Sequence, residues 1–419
     1  MIHNISEMNI GNTADGFEIS VDKAKEQLTR IVTTYLEKDA DGKLVIPFNR
    51  QRPVMLMGAS GIGKTDAPCQ VAGELGIGFV SYSMTHHTRQ SALGLPKIIE
   101  KEYEGKGKIA TEYTMSEIIS AVYDEIKRSG NPNGILFLDE INCTSESLSA
   151  VMLQLFQNKT LGQSQIPEGW VLIMAGNPPE YNKSVKAFDA VTRDRLRIIN
   201  VVPNADAWLK YAENKKLNCS VVSFINSDKS KIYIFDSTKM QIVTPRGWEE
   251  LSINLDAYEK HGFAVDGELI SEFISVPSVA SEFFDYYKMV KENICETDIE
   301  QIINGNVDSK LAKKISSCKN KIKYVLITYL KKKLHTYSEK RDYLKATEAM
   351  DNIVSFIGKV YGNNGEMEIF MSSILSDAEI VKMTVLTGNK SFGKYLNEIT
   401  TAEENINNQI KKSRRKEAK

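Results

Sequence analysis

Gly58-Ala59-Ser60-Gly61-Ile62-Gly63-Lys64-Thr65 satisfies the pattern G-x-x-x-x-G-K-[ST] at every fixed position. The apolar run Val54-Met55-Leu56-Met57 leads into it, and a helix-like run follows. Glycines at these spacings let successive backbone N–H groups turn inward around a di- or triphosphate. Lys64 is then expected to neutralise the outer phosphates, and Thr65 to hold the Mg²⁺ that travels with a nucleotide. An ordinary Gly-rich turn between strand and helix is the plainer reading, and the flanking runs weigh against it.

Working outward, short apolar segments alternate with helical patterns, the sign of a parallel sheet with crossover connections. Expected strands are Val54–Met57, Phe79–Ser83, Ile135–Leu138, Val171–Ala175 and Ile198–Val202, each bounded by turn-forming residues. A preceding helix over Val21–Leu36 carries Ala24, Leu28, Ile31, Val32 and Leu36 on one face. Thr114-Met115-Ser116-Glu117 reads as a capping box opening a helix that ends before Gly130. Beyond Pro203 the pattern becomes helical, with one hairpin over Lys231–Val243. Ile315, Cys318, Ile322, Val325 and Tyr329 make one apolar stripe. The expected fold is therefore α/β, a five-stranded parallel core over residues 1–203, followed by a helical segment over 204–300 and a helical extension over 301–419.

Two further strand ends carry chemistry. Gly134-Ile135-Leu136-Phe137-Leu138-Asp139-Glu140 is a buried strand with two carboxylates at its C-terminal end, where open α/β sheets bind their ligands. Asp139 suits Mg²⁺, and Glu140 suits orientation and activation of the attacking water; both would equally suit the first turn of a following helix. Val171-Leu172-Ile173-Met174-Ala175-Gly176-Asn177-Pro178 ends a strand in an amide able to hydrogen-bond that water or the γ-phosphate, although Asn-Pro is also a common turn.

In this order, Gly58–Thr65, Phe137-Leu138-Asp139-Glu140-Ile141-Asn142, Ala175-Gly176-Asn177-Pro178, Asp194-Arg195-Leu196 and Thr244-Pro245-Arg246 resemble the AAA+ ATPases and, within them, the MoxR-like group. The resemblance covers about residues 20–260. It implies ATP and Mg²⁺ as ligands, Asp139 and Glu140 as the Walker B pair, Asn177 as sensor 1, Arg195 as the arginine reaching a neighbouring subunit, and Arg246 as sensor 2, with the helical segment over 204–300 as a lid. Arg193 and Arg197 flank Arg195, and Arg193 is an alternative for that role. It also implies a homo-oligomeric ring, most often a hexamer, acting on a client that bears a von Willebrand factor A domain. Hairpin insertions at Gly94–Tyr113, with Gly105–Lys108 as the turn, and at Asn158–Pro167 would face the pore. Departures are Ser60 in place of Pro and Cys143-Thr144-Ser145 in place of Arg-Ala-Pro. Pro68 is expected to kink the helix after the phosphate loop.

Composition excludes more than it assigns. Net charge is −1 over 419 residues, so global electrostatics select no partner. Five scattered cysteines without a C-x-x-C pair fit reduced thiols in a cytoplasmic protein, not disulfides or zinc. No signal peptide or bilayer-spanning run is read. Asn158-Lys159-Thr160-Leu161 and Asn182-Lys183-Ser184-Val185 lack the Asp of a guanine-reading motif. His86-His87 could gate Glu140 or simply end a polar loop. Lys310–Lys333 holds nine lysines and no acid, readable as a nucleic-acid contact or as the wet side of a helix; Lys411–Lys416 reads likewise. These leave two other functions open: a nucleic-acid-directed AAA+ motor of a restriction or defence system, and a nucleotide-dependent scaffold without turnover.

Overall fold

The computed structural model describes residues 17–86, 88–103, 106–181, 185, 188–361 and 365–395. His87, Gly105, Asn182–Ser184 and the Lys411–Lys416 run lie outside the described residues, as does the His86 side chain. The chain divides into two compact units. One holds residues up to 208 with 229–250 and 273–276; the other holds 209–228, 251–272 and 277 onward.

The first unit opens with β1 (Glu18–Ile19) and α1 (Val21–Leu36), then β2 (Val54–Gly58), α2 (Asp66–Leu75), β3 (Gly78–Ser83) and α3 (Arg89–Leu93). A hairpin of β4 (Pro96–Tyr103) and β5 (Lys106–Tyr113) follows, then α4 (Glu117–Ser129), β6 (Gly134–Asp139) and α5 (Glu146–Asn158). A second hairpin, β7 (Thr160–Leu161) with β8 (Ser164–Gln165), precedes β9 (Trp170–Gly176), α6 (Ala190–Asp194) and β10 (Arg197–Val201). Six strands form one sheet in the order β1-β10-β2-β9-β6-β3, and every pairing is parallel. Val54, Met55, Leu56, Ile135, Leu136, Phe137 and Leu138 are fully buried, which is why these strands read as unbroken apolar runs; each such side chain contributes about 1.5–3 kcal/mol.

The sheet has one strand more than the sequence implied. β1 is two residues long, too short to show a period. The α1 face is as read except that Tyr35 is buried in place of Leu36. The Thr114 capping box does not form. The helix starts at Glu117 behind Ser116, and the Thr114 hydroxyl instead accepts from the Leu95 N–H at 2.9 Å, bracing the base of the first hairpin. Pro68 does not break α2. It stands in the first turn, where a helix has no N–H to lose. In the first hairpin Lys106–Lys108 lie within β5, with Tyr103 opposite Lys106, and not in a turn. Gly162 occupies the turn of the second at φ 61°.

α7 (Ala205–Asn214) and α8 (Cys219–Ser227) follow, then the hairpin β11 (Ile234–Asp236)/β12 (Gln241–Val243) and α9 (Pro245–His261). The second unit adds α10 (Gly267–Phe273), α11 (Pro277–Asn293), α12 (Glu296–Ile303), α13 (Ser309–Ser316), α14 (Asn320–Glu339), α15 (Tyr343–Tyr361), α16 (Glu366–Leu375) and α17 (Ala378–Thr387). The stripe read as continuous through Ile315 and Ile322 is split between α13 and α14, which are separated by residues 317–319. The lysine run is also not a uniform wet face. Lys314 pairs with Asp298, Lys323 with Glu366, Lys331 with Glu213, Lys332 with Asp256 and Lys333 with Glu296. Only Lys310, Lys313, Lys319 and Lys321 of the nine are exposed. The acidic partners of the five paired lysines come from other helices, so the run alone conceals them.

Buried Lys159 and the half-buried His335–Asp377 pair make the fold testable. Lys159 caps α5 in the left-handed region, φ 58°, and is 3% exposed; among the described residues nothing accepts from its ammonium. Burial pushes its pKa down to about 7. The unfolded chain keeps that proton up to about pH 10.4, so stability rises with pH between the two values. Lys159→Met should stabilise the chain at pH 7 by about 1–3 kcal/mol and remove that rise in denaturant titrations.

In the second unit His335 Nδ1 lies 2.8 Å from Asp377 Oδ2, and this bond raises the imidazole pKa despite partial burial. For Asp377, burial is outweighed by His335 and the Ile380 N–H, and its pKa falls. The histidine contribution is complete below about pH 6.5 and is lost as pH rises through the raised folded value. The aspartate contribution is lost as pH falls through its lowered value. Thermal midpoints should therefore drop above about pH 6.5 in a manner that His335→Gln abolishes; an unchanged slope in the variant would exclude this pair as its source.

Candidate nucleotide site

β2, β9 and β6 lie side by side, and their carboxyl ends bring the sequence-selected residues together. After β2 the chain turns through Gly61 (φ 74°) and Gly63 (φ 92°), conformations that side chains other than glycine resist, and enters α2 at Asp66. The turn is closely packed: a Cβ on Gly58 would collide with the Val201 carbonyl of β10, and one on Gly61 would meet the Thr244 side chain at 2.9 Å.

Lys64 is 8% exposed. Its ammonium donates to the carbonyls of Gly58 at 2.9 Å and Ala59 at 2.6 Å, and to Asn177 Oδ1 at 3.0 Å. Burial lowers its pKa to about 8; Asp139 and Glu140 oppose that shift, and the Arg246 charge adds to it. The Thr65 hydroxyl donates to Asp139 Oδ2 at 2.7 Å. Two hard oxygen donors at the mouth of a loop of inward N–H groups suit Mg²⁺ with a polyphosphate, so the residues present fit both implied ligands.

Glu140 follows Asp139 in the left-handed region, φ 55° and ψ 35°, so its side chain leaves the strand direction. Its Oε2 accepts from Thr85 Oγ1 at 3.0 Å and Ser83 Oγ at 3.4 Å; Ser83 is the last residue of β3 and Thr85 lies just beyond it. These hydroxyls were not singled out in the sequence; their position one strand beyond Asp139 emerges only from sheet order. Asn142 was read only as part of a motif, yet it brackets Asn177: its Nδ2 donates to the Asn177 carbonyl at 2.8 Å and its Oδ1 accepts from the Asn177 N–H at 3.3 Å. Thr144, at a departure from the group pattern, is buried and donates to the Ile141 carbonyl at 3.1 Å, so the substituted segment keeps an ordered turn.

Arg246 joins the cluster. Its backbone N–H donates to the Gly61 carbonyl at 3.1 Å, its side chain is exposed at the start of α9, and its charge bears on Lys64. Arg195 stands apart. It caps the C-terminus of α6. With the Gln157 amide assigned the orientation that satisfies both groups, its oxygen toward Arg195, both terminal nitrogens of Arg195 donate to that oxygen, at 2.6 Å from Nη1 and 3.1 Å from Nη2. Arg193 is exposed and has no partner among the described residues. In chemical terms the site offers a phosphate cradle, a cation-binding oxygen pair, a carboxylate able to receive a proton from water, and an amide aimed at the same point.

Residues 53–196 match the family model of the AAA domain (dynein-related subfamily). No curated protein matches the chain. The matched span encloses the phosphate loop, Asp139, Glu140, Asn177 and Arg195. The match covers about a third of the chain, and together with the parallel sheet it supports an AAA-type nucleotide-binding core over residues 53–196.

Proposed function

We propose that this chain is a MoxR-like AAA+ ATPase that hydrolyses ATP at the subunit interfaces of a ring and uses the cycle to remodel or activate a partner protein. The observation that carries the reading is the Thr65–Asp139 hydrogen bond at 2.7 Å beside the Lys64–Asn177 contact at 3.0 Å. Lys64, Thr65, Asp139 and Asn177 meet at the carboxyl edge of β2, β9 and β6, which supports roles for them as phosphate-binding lysine, cation ligands and sensor. Gly58–Thr65 would wrap the phosphates, with Thr65 and Asp139 holding Mg²⁺. When bound, the ion would neutralise developing charge on the phosphates. Lys64 would exchange its two loop carbonyls for phosphate oxygens. Glu140 would take a proton from the attacking water, Asn177 would orient that water, and Arg246 would reach the outer phosphate. Arg195 would complete a neighbour's site, which is why the reading calls for an assembly. The family resemblance adds a hexameric ring and a client with a von Willebrand factor A domain. Five internally paired lysines of the Lys310–Lys333 run weigh against the nucleic-acid motor.

Glu140→Gln should bind ATP as the parent does and hydrolyse it about 10²–10⁴-fold more slowly; a parent as slow as the variant would favour the scaffold reading. Specific activity should fall on dilution below the assembly concentration, and constant activity would refute a trans-acting arginine. Thr85→Val removes the nearer hydroxyl holding the Glu140 carboxylate. Basal turnover should rise roughly threefold, on the scale of one lost hydrogen bond, and an unaltered rate would show that Thr85 does not restrain it.

A further inference from the structure

Three arginines, Arg193, Arg195 and Arg197, lie within five residues, yet among the described residues only Arg195 has its guanidinium fixed by a side chain. The grip comes from Gln157 in the last turn of α5, whose single amide oxygen accepts from both terminal nitrogens. Two contacts from one oxygen set the plane of the guanidinium as well as its position. They use two of its five N–H donors, and the other three have no partner among the described residues. The acceptor is neutral, so it adds nothing to the partial offset that the Asp189 carboxylate already exerts on the arginine charge; a carboxylate in Gln157's place would offset more of the charge that a transition state needs. Gln157 is itself exposed, so little packing depends on it.

The helix that bears Gln157 is firmly seated. It runs directly into buried Lys159 and the β7–β8 hairpin. At the tip of that hairpin Gly162 abuts the Leu93 carbonyl, where a Cβ would come within 2.9 Å. A rigid support for a long side chain is what orientation of a trans-acting group requires.

We propose that Gln157 is a positioning residue for Arg195, presenting the guanidinium in a fixed plane to the neighbouring subunit through a neutral acceptor. This rests on the reading of Arg195 as the trans arginine. Gln157→Met keeps length and removes the acceptor. It should lower kcat about tenfold, the scale of a misoriented catalytic group, with KM for ATP and the thermal midpoint unchanged. Gln157→Glu should lower kcat further, because its carboxylate offsets the arginine charge. The decisive readout is mixing. Glu140→Gln subunits cannot hydrolyse but retain Gln157 and Arg195, so they should restore several-fold the turnover of Gln157→Met subunits in mixed assemblies. Wild-type kcat in Gln157→Met, or a loss that mixing leaves untouched, overturns the proposal. Mixing Arg195→Ala with Glu140→Gln subunits tests the underlying reading separately. If that pair shows no recovery, the trans assignment falls and the role of Gln157 falls with it; recovery there without recovery for Gln157→Met overturns the Gln157 proposal alone.

Discussion

Everything at the candidate site depends on three parallel strands lying in the order β2-β9-β6. Parallel pairing puts their carboxyl ends on one edge, and adjacency at about 4.8 Å per strand brings groups from three distant segments within hydrogen-bonding reach. Lys64 meets Asn177, and Thr65 meets Asp139, across more than seventy residues of intervening chain in each case. A slip of one residue in any pairing would turn each of these side chains to the opposite face. Fully buried Val54, Met55, Leu56 and Ile135–Leu138 therefore do more than stabilise the sheet: their fit sets the register on which the polar contacts rely.

The electrostatics of that edge follow from burial. A lysine held in a nearly closed setting loses water, and its pKa drops. The two carboxylates facing it and the carbonyls of its own loop offset part of that cost. The loop thus occupies its ammonium with its own oxygens and leaves backbone N–H groups for an anion. Glu140 shows the same economy: a left-handed backbone turns its carboxylate out of the strand direction, and two hydroxyls at the end of β3 receive it.

Much of the core was legible because buried parallel strands are read by composition alone. All five expected strands occur within a residue or two of the expected ends, and α1 spans the residues that its period indicated. The failures have physical causes. β1 is too short to carry a period. Thr114 capped no helix because the neighbouring hairpin claimed its hydroxyl. The stripe through Ile315 and Ile322 is divided because residues 317–319 separate α13 from α14, a break that the spacing alone does not show. The lysine run looked solvated because its partners Asp298, Glu366, Glu213, Asp256 and Glu296 belong to other helices.

The sequence by itself determined the local chemistry: a glycine turn ending in Lys64-Thr65, a carboxylate pair ending one apolar run and an amide ending another. Those are properties of neighbouring residues, fixed by backbone freedom and side-chain type. Tertiary structure alone decided which of these ends meet, that Asn142 braces Asn177, that Ser83 and Thr85 hold Glu140, and that Gln157 rather than any charged group orients Arg195. Such contacts join segments far apart in the chain, and their existence depends on strand order and helix packing, which no local pattern encodes.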